Sequence, residues 1–397
     1  SFIHGRRFLE LARSTDKPIV VLKGGKSPLA AEAAASHTAS LAGNYNLIQG
    51  ILKQGGVHQA DDFFEMVDIA RALEKDFYLC RPPDGKPRIA VFSYSGASGI
   101  VTTDHMEKYG LTLARLSSQT QKRLELLTPD WMPVKNPIDY YPAMEKHGPA
   151  LAYKHAIEAL LQDPQVDGMI AHLFAGFGIW SLDMKEILSR VKKPCKPILF
   201  WLIGPEKGKG PTRLSLEEEG WPTFVEIQRT VKVMASLFEN HGAGREISQN
   251  SSSEFQIPRT LAKRVLSSDQ KGKEVLDELE AKKWLKALDL KVVKERTSKS
   301  LEEVLQAAKK IGYPIVVKGI VEGHVHKTEL GLVKLSLRNP VQLKSACKKM
   351  LRAKINPKPF LSQPMLKGDR ELIVGAVRDP QFGPAVMLGL GGVRAGV

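Results

Sequence analysis

Short apolar runs rich in β-branched residues alternate with helical periodicity over most of this chain, and this alternation restricts its possible folds more than any other feature. The first four runs are Pro18–Lys23, Arg88–Ser93, Gly168–Leu173 and Pro197–Ile203. Such an order is typical of α/β domains in which parallel strands are buried between helices. The chain has 397 residues, of which 43% are apolar. That is enough for two or three hydrophobic cores, and therefore for two or three domains.

Predicted helices separate these strands. In chain order they cover Pro28–Ala35, Asp61–Lys75, Ile100–Tyr109, Ala150–Leu161, Met184–Val191 and Phe224–Glu239. The second of them is amphipathic, and its expected apolar face carries Phe63, Phe64, Val67, Ala70 and Leu73. Strands separated by helices in this way predict doubly wound, flavodoxin-like domains.

The last third of the chain has a less regular pattern, which predicts an α+β domain. Its expected helices are Glu280–Leu288, Ser300–Ile311 and Pro340–Lys354, and its expected strands are Lys291–Lys294, Tyr313–Lys318, Leu332–Leu337, Phe360–Met365, Glu371–Val377 and Ala385–Leu388. Two stretches are typical of boundaries, the Pro- and Gly-rich Arg81–Pro87 and the polar Gly242–Arg259. We therefore expect flavodoxin-like domains at 1–82 and 83–244, a linker at 245–265 and the α+β domain at 266–397.

The charge and the cysteines restrict the function classes. A formal net charge of +15 favours anionic partners. The lysines are spread over helical segments, and there is no RNA-binding signature, so phosphorylated metabolites are favoured over nucleic acid. No apolar run reaches the roughly 20 residues of a membrane span. The three cysteines are far apart, without metal-ligand spacing, which favours a reducing compartment. We expect a cytoplasmic protein without a membrane or nucleic-acid partner.

One histidine, His37, lies among small and hydroxyl residues in Ala33–Gly43, after a predicted strand and helix. Imidazole is a nucleophile at neutral pH, and neighbouring hydroxyl and backbone N–H groups can hold an anion against it. The segment is therefore a candidate for phosphate chemistry. The alternative is a structural histidine in a turn of small residues.

A second candidate is the turn Ser95–Gly99, which follows a predicted strand and opens a helix. Unpaired N–H groups and the helix dipole bind anions at such a position. Glycines are also needed there for close packing alone, and the turn lacks both the dinucleotide fingerprint and the phosphate-loop Gly-Lys-Ser/Thr. Asn136–Asp139 is a turn by composition, and Asp139 could be a structural cap.

Lys318 ends a predicted buried strand and precedes His326–Glu329 by a short loop. An ammonium group beside further basic and hydroxyl groups suits nucleotide phosphates. The alternative is a strand-end lysine that reaches solvent. The sequence shows no Ser/His/Asp triad, zinc constellation or paired-carboxylate site.

Taken together, several motifs resemble those of the NDP-forming acyl-CoA synthetases, the superfamily that includes succinyl-CoA synthetase and the ADP-forming acetyl-CoA synthetases. The resemblance covers nearly the whole chain and rests on Lys23–Ser27, Ala33–Gly43, Ser93–Gly99, Asn136–Asp139, Ile311–Lys318, His326–Glu329, Glu371–Gly375, Asp379–Pro384 and Gly389–Gly392. It implies fused alpha and beta halves, with an ATP-grasp fold at 266–397.

The resemblance also implies an activity, in which acyl-CoA, phosphate and ADP are interconverted with a carboxylic acid, CoA and ATP through an acyl phosphate and a phosphohistidine. It assigns the phosphoryl group to His37 and a second relay to His326. Phosphate contacts fall on Ser36, Thr38, Ser95, Gly96, Ala97, Ser98 and Gly99, and nucleotide contacts on Lys318, Lys327, Gln363, Met365 and Glu371. Mg²⁺ is implied with the nucleotide, but no metal ligand falls within this chain. A homo-oligomer is implied, with a dimer of the full-length chain as its form.

Some features depart from the family pattern. Ala39 and Leu332 stand where glycine is usual. The family's CoA-binding domain should precede Ser1 and its magnesium carboxylates should follow Val397, so we expect a piece of a longer polypeptide that does not complete the reaction alone. Two alternatives use the same scaffold. One is a protein lysine acetyltransferase, which the retained His37 argues against. The other is an acyl-CoA- or nucleotide-sensing module that binds without phosphoryl transfer.

Overall fold

The computed structural model describes residues 4–38, 44–74, 85–188, 191, 196–239, 278–321, 331–352, 359–368 and 370–391, with 34–38 as helical backbone alone. The chain divides into two compact units. The first comprises Ser1–Ser252 with Ala376–Ala385, and the second Ser253–Gly375 with Val386–Val397. The predicted boundary near residue 82 and the predicted linker at 245–265 lie outside the described residues, so the three boundaries between the four predicted segments stay predictions. No helix in the described ranges is both long and apolar enough to cross a membrane.

The first unit begins with a small α/β layer. Its elements are α1 (Gly5–Ser14), β1 (Val20–Leu22), α2 (Pro28–Thr38), α3 (Tyr45–Gln54), β2 (His58–Ala60) and α4 (Phe63–Leu73). Strands β1 and β2 pair in parallel, with Val20 opposite His58. Helix α2 runs three residues beyond its predicted end at Ala35. His37 therefore lies in the last turn of a helix and not, as predicted, after it.

A larger doubly wound layer follows. Its elements are β3 (Arg88–Ser93), α5 (Gly96–Lys108), β4 (Thr112–Leu113), α6 (Ser118–Glu125), β5 (Ile138–Asp139), α7 (Tyr141–His147), α8 (Pro149–Gln162), β6 (Gly168–Phe174), a 3₁₀ turn (Gly178–Trp180), α9 (Met184–Leu188), β7 (Ile198–Ile203), α10 (Glu206–Glu218), β8 (Thr223–Phe224) and α11 (Ile227–Phe238). The strands pair in parallel in the order β4-β3-β6-β7-β8, with β5 beside the end of β3.

Alternate residues of the central strands supply separate cores on the two faces of this sheet. Phe92 and Phe200 pack on one face with Tyr140 and Tyr153. Val91 and its neighbours on β6 and β7 pack on the other face with α4, α5 and α11. Both faces are covered, as parallel sheets require, and the predicted flavodoxin-like class is confirmed.

Helix α4 buries a different face from the one predicted. Phe63 and Phe64 are 73% and 74% exposed, whereas Ile69 and Ala72 are fully buried. Glu65 is buried on the same side, where its carboxylate accepts from the backbone N–H of Asp61 at 3.0 Å and forms an ion pair with Lys232. The prediction was wrong because a paired carboxylate can be buried, and hydropathy alone does not reveal its partner.

The second unit is α+β. Its elements are α12 (Glu278–Ala287), β9 (Arg296–Ser298), α13 (Leu301–Ile311), β10 (Ile315–Gly319), β11 (Val333–Leu337), α14 (Pro340–Leu351) and β12 (Phe360–Pro364). The last two strands, β13 (Leu372–Asp379) and β14 (Gly383–Leu390), belong to it only in part, because their residues between Ala376 and Ala385 are assigned to the first unit. An antiparallel sheet has the order β11-β10-β12-β9, and β13 pairs with β14. Helices α13 and α14 cover the four-stranded sheet through Val304, Ala308, Leu343 and Cys347.

One predicted strand of this unit is misplaced. Residues 291–295 lie outside any strand, and the strand is Arg296–Ser298, whose Ser298 pairs with Phe360. The register with β12, which local propensity does not encode, decides which residues pair.

Candidate functional site

The turn Ser95–Gly99 lies at the carboxyl end of β3, and the structure makes it the first turn of α5. The helix therefore begins four residues before the predicted Ile100. The Gly99 N–H donates to the Ser95 carbonyl at 3.2 Å. The N–H groups of Gly96, Ala97 and Ser98 come before this first helical bond, so they have no acceptor within the helix. These three donors and the positive end of the helix dipole could hold an anion.

Close packing accounts for both glycines of this turn. A Cβ atom on Gly96 would lie 3.0 Å from Oδ2 of Asp139, and one on Gly99 would lie 2.9 Å from Cβ of Pro137. The Asp139 carboxylate thus lies beside the amino end of α5, and its other oxygen accepts from the Tyr141 N–H at 3.2 Å. This carboxylate already stabilises the helix dipole, so the turn alone is a weaker anion site than its exposed N–H groups suggest.

Asn136 connects this turn to the sheet. Its Oδ1 accepts from the Val91 N–H at 2.9 Å, and its Nδ2 donates to the carbonyls of Ile89 at 2.9 Å and Ala114 at 3.0 Å. On the edge of β3 that pairs with β4 and β5, the Asn136 side chain takes the place of a partner strand's backbone between those two strands. Asn136 therefore positions Asp139 without itself facing the turn.

A buried histidine below the turn was missed by the sequence analysis. His172, on β6, is 0% exposed. Its Nδ1 lies 3.0 Å from Oγ of Ser98 and 3.0 Å from Oγ of Ser93, and its Nε2 lies 3.0 Å from Oγ1 of Thr102. Desolvation lowers the pKa of His172 to about 3, so the ring is neutral at ordinary pH. The available signal was one histidine inside an otherwise apolar strand.

Aromatic side chains that the sequence analysis did not single out surround the same edge of the sheet. Ring centroids lie 5.8 Å apart for Tyr94 and Phe174, 5.5 Å for Phe174 and Trp180, and 6.5 Å for Trp180 and Tyr141. Ile179 in the same loop is 72% exposed. Because Tyr94 precedes Ser95 and Tyr141 bonds to Asp139, this row of rings adjoins the turn.

The segment around His37 begins at a separate edge, after β1. A cavity of about 740 Å³ is lined by the loop Lys23–Ser27 and by Asp61–Phe63 across from it. The Ser27 hydroxyl accepts from the Ala30 N–H at 3.2 Å and caps α2, and Lys26 forms an ion pair with Asp61. Burial would raise the pKa of Asp61, but its bonds to Lys232 and Lys26 outweigh burial and lower it. Helix α2 leads from this loop to Ser36, His37 and Thr38, and for these three residues the structure describes only the helical backbone.

In the second unit, Lys318 and Gln363 meet on neighbouring strands. The Lys318 Nζ donates to Oε1 of Glu278 at 2.7 Å, and the Gln363 Nε2 lies 3.3 Å from the same oxygen. Lys282 bridges Glu278 at 2.8 Å and Glu295 at 2.7 Å. Burial would raise the pKa of Glu278, but the bonds to Lys282 and Lys318 outweigh it and lower this pKa to about 2. Lys318 is thus a half-buried, paired cation and not a strand-end lysine in solvent.

The other predicted nucleotide contacts are not joined to this cluster by the described bonds. The Met365 N–H donates to the Pro314 carbonyl at 2.9 Å just beyond β12. The exposed Glu371 accepts through its backbone carbonyl from Gly391 at 2.8 Å. Leu332 is fully buried. His326 and Lys327 lie outside the described residues.

Two family models match the chain. A succinyl-CoA ligase like flavodoxin domain matches residues 1–73, and an ATP-grasp domain matches residues 267–397.

Curated relatives and solved structures extend this match. A 4-hydroxybutyrate–CoA ligase (ADP-forming) of Nitrosopumilus maritimus is 29% identical over 402 residues, which cover 98% of this chain and 56% of the relative. An acetate–CoA ligase (ADP-forming) of Archaeoglobus fulgidus is 29% identical over 400 residues, covering 98% and 55%. The chain spans about half the length of these relatives.

A solved acetyl-coenzyme A synthetase of Ca. Korarchaeum cryptofilum, in complex with phosphate and ADP, has a TM-score of 0.52 at 24% identity, covering 62% of this chain and 52% of that one. This likeness supports the fold. The chain is therefore similar over nearly its whole length to ADP-forming acyl-CoA ligases, and it matches a succinyl-CoA ligase like flavodoxin domain at residues 1–73 and an ATP-grasp domain at residues 267–397.

Proposed function

We propose that the protein carrying this chain is an ADP-forming acyl-CoA synthetase, which interconverts acyl-CoA, ADP and phosphate with a carboxylic acid, CoA and ATP. The observation that carries the proposal is the Ser95–Gly99 turn, where three N–H donors at a helix amino end lie at the carboxyl edge of a parallel sheet. The homology to ADP-forming ligases supplies the reaction class.

The proposed reaction has three transfers. In the direction of ATP formation, a phosphate oxygen attacks the thioester carbonyl, the carbon–sulfur bond breaks, and CoA leaves as its thiol. His37 then attacks the phosphorus of the acyl phosphate, so that a phosphorus–nitrogen bond forms and the carboxylate leaves. Finally a β-phosphate oxygen of ADP attacks the phosphohistidine, ATP forms and the imidazole is regenerated. Each phosphoryl step requires in-line positioning and positive dipoles around the phosphoryl oxygens.

The chain's own groups have distinct roles in this scheme. The turn Ser95–Gly99, with Ser36 and Thr38 beside His37, would bind the phosphate or phosphoryl oxygens. His326 would take the phosphoryl group from phosphorylated His37 and pass it to ADP, which divides the last of the three transfers into two and frees each imidazole in turn. Lys318 would contact the nucleotide phosphates, exchanging one anionic partner, Glu278, for another.

The described residues fit a nucleotide better than they fit its metal ion. Lys318 and Gln363 are polar donors at adjacent strands and suit nucleotide oxygens, and Lys327, Met365 and Glu371 complete the proposed contacts. Bound Mg²⁺ would neutralise phosphate charge. Among the described residues, no group of three or more His, Cys, Asp or Glu side chains is arranged to hold a metal ion. No step of the proposal therefore depends on a metal ligand from this part of the chain.

The proposal includes an assembly and a location. We expect the full-length chain to form a homodimer in the cytoplasm, using small-molecule substrates. The acetyltransferase alternative is not supported, since the relatives reported above carry ligase names. The sensing-module alternative predicts binding without turnover.

A coupled assay tests the proposal. The full-length protein is incubated with acyl-CoA, ADP and phosphate, and ATP is measured for the wild type, His37→Ala and a control, His105→Ala. We expect ATP formation that depends on all three substrates, is lost in His37→Ala and persists in His105→Ala. Binding of ADP or CoA without ATP formation would support the sensing module instead.

A further inference from the structure

A closed hydrogen-bond network lies directly below the Ser95–Gly99 turn. Four side chains form it, Ser93 from β3, His172 from β6, and Ser98 and Thr102 from α5. Ser93, Thr102 and His172 are 0% exposed, and Ser98 is half-buried. A polar network in this position is costly unless every member is bonded, and here every member is.

The bonds tie the network to the backbone of the turn. The Ser93 hydroxyl donates to the Ser95 carbonyl at 2.7 Å, and the Ser95 N–H donates back to the Ser93 Oγ at 2.9 Å. The Thr102 hydroxyl donates to the Ser98 carbonyl at 2.8 Å. The two ends of the turn are thus held by side chains that themselves meet at His172.

The donors and acceptors around the ring determine the tautomer of the His172 imidazole. The single hydroxyl proton of Thr102 goes to the Ser98 carbonyl, so Thr102 Oγ1 is left to accept from the ring Nε2–H at 3.0 Å. The Ser93 proton goes to the Ser95 carbonyl at 2.7 Å, so the donor to the ring Nδ1 is the Ser98 hydroxyl at 3.0 Å, which also lies 3.0 Å from the Ser95 carbonyl. The Trp201 ring, 4.8 Å away by centroid, and the bond from the Tyr153 hydroxyl to the His172 carbonyl at 2.8 Å fix the ring and its strand.

We propose that His172 is the positioning residue of the Ser95–Gly99 turn: a neutral Nε2–H imidazole, bonded through both ring nitrogens, holds the amino end of α5 in the conformation that binds phosphate. This inference rests on the proposed function of the turn and adds a residue to it. His172 does not touch phosphate. It acts through Ser98 and Thr102, and its loss misaligns the three N–H donors above them.

Imidazole ¹⁵N NMR of the full-length protein tests the ring directly, without substrates. We expect the His172 signals, identified by their absence in His172→Phe, to show one Nε2–H tautomer without titration between pH 5 and pH 8, since the pKa is about 3. A titration near the usual histidine pKa, or an Nδ1–H tautomer, would overturn the proposal. Hydrogen exchange of peptide 93–102 is measured on the same samples and should quicken at least tenfold in His172→Phe.

Steady-state kinetics separates positioning from a general structural role. Loss of a buried hydrogen bond changes a binding constant by about tenfold or more. His172→Phe should therefore raise the KM for phosphate by at least that factor, while the KM for ADP stays unchanged. His172→Asn, which keeps an acceptor near Nδ1, and His172→Gln, which keeps a donor near Nε2, should each recover part of the loss. Equal increases in both KM values, or no recovery by either variant, would contradict positioning.

Thr102 and Thr230 form a matched pair for the same assays. Both are fully buried, and both donate to the carbonyl four residues earlier, at 2.8 Å and 2.7 Å, but only Thr102 also bonds to His172. Thr102→Val should reproduce the exchange and phosphate effects, and Thr230→Val should not. If the wild type makes no ATP, the proposed function fails, while the NMR and exchange results still decide the role of His172.

Discussion

Replacing Asn136 by alanine should destabilise the first unit through the loss of three defined hydrogen bonds. The side chain bonds to the Val91 N–H and to the carbonyls of Ile89 and Ala114 at 2.9–3.0 Å. Val91 and Ile89 are 0% exposed and Ala114 is 3% exposed, so water cannot readily replace the amide. At about 1 kcal/mol for each bond, the free energy of unfolding should fall by about 3 kcal/mol.

Urea unfolding followed by tryptophan fluorescence measures this change. Trp284 lies in the second unit and the other four tryptophans lie in the first, so a Trp284→Phe background restricts the signal to the first unit. With a slope of about 3 kcal/mol per molar urea, a loss of about 3 kcal/mol lowers the midpoint by about 1 M. Asn136→Asp keeps the acceptor but removes both donors, and should be at least as destabilising at pH 7. A midpoint change below about 0.3 M in Asn136→Ala would refute the reasoning.

Three further predictions concern the packing of Gly99, the pH dependence of stability at Glu278 and the binding of ADP at Lys318. In Gly99→Ala the free energy of unfolding should fall by about 1–3 kcal/mol, because the added Cβ would lie 2.9 Å from a proline carbon. In Gly50→Ala, at a helix position with open space around it, the free energy of unfolding should rise by about 0.5–1 kcal/mol, and thermal unfolding measures both changes. The pKa of Glu278 is lowered to about 2, so this carboxylate contributes fully to the free energy of unfolding above its unfolded pKa, and the contribution is lost as pH falls from about 5 to 2. Urea titrations over that pH range should show the stability difference between wild type and Glu278→Gln becoming smaller. Lys318→Met should weaken ADP binding about tenfold or more by calorimetry, while Lys334→Met on the adjacent strand should not; equal loss in both would indicate a nonspecific charge effect.

The sequence located the long central strands of the first unit more accurately than the ends and faces of helices. Strand Arg88–Ser93 was predicted residue for residue, because a buried parallel strand is a continuous apolar run. Helix α5 was predicted to begin at Ile100 and begins at Gly96, since glycines that lower helix propensity are required there by Asp139 and Pro137. Such a requirement depends on a segment forty residues away, which local pattern does not contain.

The candidate site shows the same limit. Ser95–Gly99 and Lys318 were found from local pattern, because a strand followed by a glycine-rich turn and a lysine ending a strand are local signals. His172 and Glu278 were missed as members of the site, since their roles come from partners on other elements. Burial of a histidine or pairing of a glutamate becomes visible only when the sheet brings those partners together.

Phosphopeptide mapping of the full-length protein tests the central claim most directly. After incubation with ATP labelled in its γ-phosphate, the account predicts an acid-labile, base-stable label on the peptide containing His37, lost in His37→Ala and retained in His105→Ala. Label persisting on His326 in His37→Ala would identify the nucleotide-side histidine as the first acceptor. Absence of base-stable label from the wild-type His37 peptide, in a protein that still forms ATP from acyl-CoA, would contradict the account.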